Sequence, residues 1–185
     1  MTTSRDIYDE MIRDGIAPAL RAVGFRKIRN RFARRVSTSW QIIDFQASQF
    51  GSLDEVRFTV NLAVAYFSAG GTAISKPSPD KPPPEHKADV RLRIGSLTPG
   101  QQDLWWDVQR GTDVPALAQE VSMLLTSKGL PWLESRGTID RLVSLVTKDQ
   151  ESLRAGELIF IEKALRNAGE VAAAQLARDL QTRRR

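Results

Sequence analysis

The chain contains 185 residues, of which 41% are hydrophobic and 26% are charged, and its formal net charge is +5. This length favours one domain with a sizeable core, and the hydrophobic content excludes a disordered chain. Because the sequence has no cysteine and one histidine, it excludes disulfide frameworks, thiolate zinc sites and cysteine nucleophiles. We therefore expect no metal site and no cofactor.

The sequence also bears on localisation. The N-terminal residues lack the apolar segment of a secretory signal. No run approaches the roughly 18 apolar residues that a membrane span needs, and the richest stretch, residues 58–67, is interrupted by Thr59 and Asn61. These features predict a soluble cytoplasmic protein of bacterial type with no membrane partner.

The positive charge is concentrated in two segments. Six cations lie within ten residues that contain no acid: Arg26, Lys27, Arg29, Arg31, Arg34 and Arg35. Without these six, the formal charge falls from +5 to −1. The terminal Arg183, Arg184 and Arg185 form the second basic segment, which we expect to be frayed. The sequence therefore predicts a near-neutral domain with two basic segments.

The N-terminal region has the apolar spacing of a helix. Side chains at residues 4–23 recur on one helical face, with Ser4 as the predicted N-cap and Gly24 as the residue that ends the helix. Pro18 lies inside this pattern and lacks a backbone donor. A bend or break is therefore expected near residues 14–16.

A strand pair is predicted after this helix. From Phe25 the apolar period changes to two, with Ile28, Phe32 and Val36 sharing one parity and arginines between them. Asn30 is a candidate for the tight turn. The pattern predicts a hairpin with an apolar face and a basic face.

Apolar and polar residues alternate in three further segments, at residues 40–50, 56–66 and 88–97. The second is the clearest half-buried strand, preceded by a turn at Gly51 and Ser52. Residues 70–86 hold five of the nine prolines and predict an exposed loop. The strands should therefore form a largely antiparallel sheet.

The remaining sequence has helical spacing. Asp113 is the predicted N-cap of a helix that Gly129 ends and that Pro131 prevents from continuing. After Gly137 the pattern is helical to the end, and residues 167–169 separate the last two helices into a hairpin.

Together these elements predict an α+β fold. An antiparallel sheet of about four or five strands packs against the N-terminal helix and the following helices. The α+β domain should cover residues 1–136, with the proline-rich loop at 70–86. Residues 137–185 should form an all-helical C-terminal extension.

Polar residues on the predicted strands suggest a binding face. Alignment of the strands would place four of them opposite the apolar face: Gln46, Asn61, Arg91 and Arg93. Two arginines on such a face suit an anionic ligand or partner. Ion pairing with Asp44 or Asp89 explains the same residues without a ligand.

Common catalytic signatures are missing from the sequence. It has no nucleophile elbow, HExxH zinc motif, P-loop or GxGxxG sequence, and His86 lies in the proline-rich loop. Asp103 and Asp107 would share one face if their segment were helical. The neighbouring Trp105 and Trp106 are better suited to anchoring the core than to a ligand platform. We assign no catalytic residue.

Five runs in order resemble the bacterial domain-of-unknown-function family 4304 over about residues 5–135: LRAVGFRKIRNRFARR, IIDFQASQFGS, FTVNLAV, RIGSL and DLWWDV. The resemblance implies a compact α+β domain and no established activity. Seven residues match the motif positions of the family: Gly24, Phe25, Gln46, Asn61, Arg93, Gly95 and Trp106. We include Trp106 with the polar-face residues as a candidate for binding.

The leading functional hypothesis is a non-enzymatic module that binds another protein, such as an immunity or regulatory partner of a bacterial toxin. The alternative is nucleic-acid binding through residues 26–35 and the arginine tail. A second alternative is an enzyme that uses Asp103, Asp107 or His86. The oligomeric state is left open by the sequence.

Overall fold

A computed structural model describes residues 3–49, 54–67, 78–100 and 103–184. It shows one antiparallel sheet combined with an N-terminal helix, helices after the sheet and a helical C-terminal region. The predicted α+β fold class is therefore confirmed. Within these ranges, no helix is both long enough and apolar enough to cross a membrane.

The sheet contains six strands: β1 (Arg26–Ile28), β2 (Arg31–Val36), β3 (Ser39–Ala47), β4 (Glu55–Tyr66), β5 (Val90–Arg93) and β6 (Trp106–Gln109). They are hydrogen-bonded in the order β1-β2-β3-β4-β5, and β6 also pairs with β4. The β4–β6 pairing is antiparallel and places Arg57 opposite Asp107 and Phe58 opposite Trp106. Strand β4 therefore has β3, β5 and β6 as partners.

The α-helices are α1 (Ser4–Glu10), α2 (Ala17–Ala22), α3 (Val114–Leu124), α4 (Leu130–Ser135), α5 (Ile139–Lys148), α6 (Ala155–Asn167) and α7 (Val171–Arg183). The chain forms two compact units. The first unit comprises Met1–Arg34, Ile43–Asn61 and Arg93–Pro131. The second unit comprises Arg35–Ile42, Leu62–Leu92 and Trp132–Arg185.

The α-helical geometry of the N-terminal segment is interrupted before Pro18, in the region where a bend or break was expected. A π-helical turn, Met11–Ile16, separates α1 from α2, and Pro18 lies in the first turn of α2, where a missing backbone donor costs little. The N-cap is Thr3 rather than the predicted Ser4. Thr3 and Asp6 form a reciprocal capping box, because each side chain accepts a hydrogen bond from the backbone N–H of the other.

An aromatic cluster forms the core of the first unit. Tyr8 of α1 lies 5.1 Å from Phe58, measured between ring centroids, and its hydroxyl donates to the carbonyl of Phe45. Phe45 also contacts Phe32, and Phe58 stacks on Trp106 at 5.4 Å. All five side chains are buried. Trp106 therefore anchors the core, as its apolar surroundings favour.

Strand β4 is buried on both faces, so the prediction of a half-buried strand is wrong. Every residue from Phe58 to Tyr66 is buried, including the polar Thr59 and Asn61. The Thr59 hydroxyl donates to the carbonyl of Leu104, and the Asn61 amide donates to Gln46. The alternation in this strand therefore reflects side-chain size and polarity rather than solvent exposure.

Some strand boundaries differ from the prediction. Strand β3 ends at Ala47, and β5 has four residues because a 3₁₀ turn, Ile94–Leu97, follows it. The predicted turn at Gly51 and Ser52 lies outside the described residues, as do Phe50 and residues 70–77 of the proline-rich loop. The rest of that loop contains a bridge between Ser78 and Lys81 and a 3₁₀ turn, Glu85–Lys87.

The helix that begins at Asp113 continues beyond its predicted end. Asp113 is the N-cap of α3 and accepts from the N–H of Ala116, as expected. A π-helical turn, Leu125–Gly129, then leads directly into α4, which contains Pro131 as its second residue. Proline is tolerated in the first turn of a helix, so Pro131 does not end the helical segment.

The C-terminal helices belong to the second unit and include the predicted hairpin of α6 and α7. Glu162 of α6 accepts from Arg166 on the same helix and from Arg178 on α7. The expectation of a frayed terminal arginine run is wrong at Arg184, whose guanidinium donates to the carbonyls of Leu153 and Gln150. Arg185 lies outside the described residues.

A buried ion pair connects α6 to the residue that follows α4. The guanidinium of Arg136 donates through Nε and Nη2 to the two carboxylate oxygens of Glu157, at 2.9 and 2.7 Å. Glu157 also accepts from the Trp132 indole and the Arg154 N–H. The side chains of Arg136 and Glu157 are 3% and 0% exposed, and their hydrogen bonds compensate for this burial.

Candidate interaction surface

The six-cation segment forms the hairpin of β1 and β2, and β1 is the edge strand of the sheet. Gly24 ends the preceding helix with a φ of +87°. Its N–H donates to the carbonyl of Arg21, and the N–H of Phe25 donates to the carbonyl of Leu20. These two bonds form a Schellman motif, so α2 leads directly into the hairpin.

The register of the hairpin decides which side chains share a face. Three pairs lie directly opposite each other: Arg26 with Ala33, Lys27 with Phe32, and Ile28 with Arg31. Opposite residues point to the same face of an antiparallel pair, so Ile28 lies beside Arg31 and not beside Phe32. The prediction that Ile28, Phe32 and Val36 share a face is therefore wrong, because a two-residue turn reverses the parity between the strands.

The turn consists of Arg29 and Asn30, between the closing pair of Ile28 and Arg31. Asn30 lies in the turn as predicted, but the left-handed residue is Arg29, with a φ of +57°. The carbonyl of Asn30 accepts from the N–H of Phe45, which connects the turn to β3. The arginine side chain is exposed at the tip of the hairpin.

Four of the hairpin cations lack acidic partners among the described residues. Arg26, Lys27 and Arg29 are exposed, and Arg31 is half-buried. Among the described residues, the side chains of these four form no ion pair and no hydrogen bond. The pKa of Asp14 is lowered mainly by its hydrogen bond with Arg13 and only weakly by the charge of Lys27. The positive charge of the hairpin is therefore available to an external anion.

The last two cations of the segment have contacts of their own. Arg34 places its guanidinium 4.7 Å from the Phe25 ring centroid and donates to the carbonyl of Val23. Arg35 belongs to the second unit, where its guanidinium lies 5.3 Å from the ring of Phe67. Both cation–π contacts hold the guanidinium against the protein.

Two of the predicted polar-face residues are brought together in the first unit. Asn61 is buried and its amide donates to the side-chain oxygen of Gln46, at 2.8 Å, while Gln46 is exposed. The pair therefore connects a buried amide on β4 to an exposed amide on β3. Trp106, which was also a candidate for binding, lies in the aromatic core and donates its indole N–H to Glu120.

Arg93 belongs to a separate polar cluster in the first unit, the Trp105 cluster, which comprises Arg57, Arg93, Asp103, Trp105 and Asp107. Its guanidinium donates to both carboxylate oxygens of Asp103, each at 2.6 Å, and lies 5.2 Å from the Trp105 ring. Arg57 lies 5.9 Å from the same ring and forms an ion pair with Asp107 at 3.4 Å. Each arginine of this cluster therefore has its own carboxylate, and the cluster carries no net charge.

The hydrogen bonds of the Trp105 cluster change the pKa of Asp103. Hydrogen bonding from Arg93, with a smaller contribution from the Trp105 indole, lowers the pKa of Asp103 although partial burial opposes this.

Arg57, which belongs to the same cluster, was not among the candidates from the sequence. Arg57 lies four residues before Asn61 on β4, and this even spacing places both on one face, so the period of two could have identified it.

Arg91 lies in the second unit. Its guanidinium is 4.7 Å from the ring of Phe160, and its Nη1 is 3.8 Å from a carboxylate oxygen of Glu85. The expected ion pairing of Arg91 and Arg93 therefore occurs, but with Glu85 and Asp103 rather than with Asp44 or Asp89. Burial raises the pKa of Asp89, whose carboxylate accepts from the N–H of Tyr66.

The helical arrangement predicted for the two candidate catalytic carboxylates does not form. Asp107 lies on β6 and Asp103 in the irregular segment before it, so the predicted shared helical face does not exist. His86 is exposed on the 3₁₀ turn that precedes β5. In the described part of the chain, no group of three or more His, Cys, Asp or Glu side chains is arranged to hold a metal ion.

The fold and these surfaces define an α+β protein with an antiparallel sheet whose edge hairpin carries unpaired cations. The family model of DUF4304, a domain of unknown function, matches residues 16–135. The chain therefore belongs to the DUF4304 family, which confirms the resemblance found in its sequence. No curated protein and no solved structure matches the chain.

Proposed function

We propose that this protein is a non-enzymatic binding module that holds an acidic segment of a partner protein on its basic hairpin, residues 26–34. The observation that carries this proposal is the uncompensated charge of Arg26, Lys27, Arg29 and Arg31. Exposed cations without internal partners keep their full attraction for an anion and steer its approach. An immunity or regulatory role toward a toxin is one setting in which such a module would act.

A protein partner fits the extent of this surface better than a nucleic acid. The cations without internal partners that lie close together number four in this short hairpin, and the chain without the six cations of residues 26–35 carries a net charge of −1. Nucleic-acid interfaces are larger and engage many phosphates. The C-terminal arginines, which the nucleic-acid alternative needs, include Arg184, and its guanidinium is already bound to two backbone carbonyls.

The enzyme alternative has less support. Asp103 is engaged by Arg93 and by the Trp105 indole, and Asp107 is engaged by Arg57. The lowered pKa of Asp103 suits a permanently ionised group rather than a general acid at neutral pH. A substitution series at His86, Asp103 and Asp107 remains the direct test of that alternative.

The test uses two variants with equal changes in charge. The hairpin variant carries Arg26→Ser, Lys27→Ser and Arg31→Ser, and the control variant carries Arg110→Ser, Lys128→Ser and Lys148→Ser. All three control positions are exposed and lie outside the hairpin. Each tagged protein is used to capture proteins from a native lysate treated with nuclease, and each enriched protein is then purified and its binding is measured directly.

We expect a partner that binds the wild type and the control variant equally and the hairpin variant at least about tenfold more weakly, which is roughly 1.4 kcal/mol. Its affinity should also fall as salt rises, since the contacts are exposed charges. Equal binding by both variants would refute the proposal. Loss of all capture on nuclease treatment, with steep salt-dependent binding to a DNA or RNA duplex, would favour the nucleic-acid alternative instead.

A further inference from the structure

One residue of the basic hairpin, Arg29, has a backbone conformation that its side chain disfavours. Its φ of +57° lies in the left-handed region, where the Cβ atom approaches the neighbouring carbonyl oxygen. Ser37 is the other non-glycine residue with a positive φ among the described residues. A two-residue hairpin turn with its first residue left-handed favours glycine at that position.

The fold itself gains no contact from this arginine. The Arg29 side chain is exposed, and within the described residues it forms no hydrogen bond, ion pair or ring contact. A glycine at position 29 would adopt the same backbone conformation. Strained residues whose side chains have no internal role are candidates for a contact outside the chain.

The hairpin register places two further arginines near this tip. Arg31 directly follows the turn, and Arg26 lies diagonally across from it on the same face, because Arg26 is opposite Ala33. Diagonal neighbours on an antiparallel pair have Cα atoms about 7–8 Å apart, within reach of long side chains. Arg26 and Arg31 therefore lie within three residues of Arg29 along the chain, and they share one face of the hairpin with Ile28.

We propose that Arg29 is the central contact of the partner-binding site: it binds a side-chain carboxylate of the acidic segment, and Arg26 and Arg31 bind neighbouring carboxylates. This inference rests on the proposed function and adds the anchor residue and the ligand chemistry. Guanidinium groups bind carboxylates through paired hydrogen bonds, which gives them more geometric specificity than lysine has. The disfavoured turn places a long cationic side chain at the tip, where it makes this contact.

The test separates the effect on stability from the effect on binding. Arg29→Gly removes both the guanidinium and the strain, and Ser37→Gly removes strain at the other left-handed residue without a change in charge. Arg29→Lys keeps the charge and the strain but loses the paired donors. The probes are a fluorescent peptide of eight glutamates and a fluorescent DNA duplex, titrated at two salt concentrations, and thermal unfolding is measured for every variant.

Arg29→Gly should unfold at the same temperature as the wild type or higher, yet bind the glutamate peptide about fivefold more weakly. Ser37→Gly should bind like the wild type, and Arg29→Lys should lie between the wild type and Arg29→Gly. Each other single hairpin substitution, Arg26→Ser, Lys27→Ser or Arg31→Ser, should weaken binding less than Arg29→Gly does. This order would establish Arg29 as the anchor.

Unchanged peptide binding by Arg29→Gly, with loss of binding in the hairpin variant, would overturn the anchor role and leave the proposed function standing. Unchanged binding by the hairpin variant as well would refute both. A lower unfolding temperature for Arg29→Gly would show that the arginine stabilises the turn and would also overturn the inference. Tighter binding of the duplex than of the peptide would identify phosphates, rather than carboxylates, as the ligand.

Discussion

Arginine has two different environments in this protein. Arg136 of the second unit is 3% exposed, and its guanidinium is bound by Glu157, by the Ser135 hydroxyl and by the carbonyl of Ser152. Arg26 and Arg29 of the first unit are exposed and have no such partners among the described residues. A buried charge must be compensated within the chain, whereas an exposed charge is compensated by water and is free to bind a partner.

The Trp105 cluster lies between these two cases. Its arginines, Arg57 and Arg93, are paired with Asp107 and Asp103, but the four side chains are between 36% and 57% exposed. Exposed ion pairs contribute little to stability because water screens them. The comparison therefore predicts that substitutions matter most at the Arg136 network, less at the Trp105 cluster and least at the basic hairpin.

The largest effect is expected from Glu157→Gln, which leaves the buried guanidinium of Arg136 without its anion. The free energy of unfolding should fall by about 3 kcal/mol, measured by urea denaturation. Glu151→Gln, at an exposed position in the turn before α6, is the matched control and should change little. Equal losses in the two variants would contradict the importance of the buried pair.

A smaller loss is expected from Tyr66→Phe. The Tyr66 hydroxyl donates to the carbonyl of Arg136 and is fully buried, and burial raises its pKa well above the usual value. Removal of the hydroxyl leaves that carbonyl without this donor and should lower the free energy of unfolding by about 1–2 kcal/mol. An unchanged urea midpoint would show that water replaces the hydroxyl.

The Trp105 cluster should show a dependence on pH. The pKa of Asp103 is lowered in the folded state, so its contribution to stability is present above the ordinary value of 3.8 and is lost as the pH falls through the folded pKa. Asp103→Asn should therefore be less stable than the wild type near about pH 6 and similar to it near about pH 2. Asp80→Asn, at an exposed position, is the control, and an equal pH response there would contradict the assignment.

The smallest effect on stability is expected from the hairpin variant. Its three substitutions remove exposed or half-buried cations without internal partners, so the free energy of unfolding should change by less than about 0.5 kcal/mol at each position. The urea midpoint should stay close to that of the control variant. A decrease in the free energy of unfolding as large as that of Glu157→Gln would show instead that these cations stabilise the fold, as Arg136 does.

Much of the fold could be predicted from local chemistry. The interruption of the α-helix before Pro18, the cap at Asp113 and the end of the helix at Gly24 depend on single residues and their neighbours, so the sequence was sufficient. The end predicted at Pro131 was wrong because a proline's effect depends on its position within the helical turns, and a π-helical turn places it near the start of α4.

The candidate site was predicted in composition but not in arrangement. The sequence identified the basic segment and placed Gln46 and Asn61 on one predicted face, whereas their hydrogen bond was found only in the structure. The partner of Arg93 could not be found in this way, because Asp103 is ten residues away and only the path of the chain brings them together. The same holds for Arg57 and Asp107, which meet across the β4–β6 pairing.

By itself, the sequence determined the elements of the α+β fold, the family and the concentration of charge at residues 26–35, since these depend on composition and local periodicity. The tertiary structure decided which arginines are compensated. It also decided that Ile28 shares a face with Arg31 and that β4 is buried on both faces. These properties depend on register and on contacts between distant segments, and a one-dimensional pattern does not encode them.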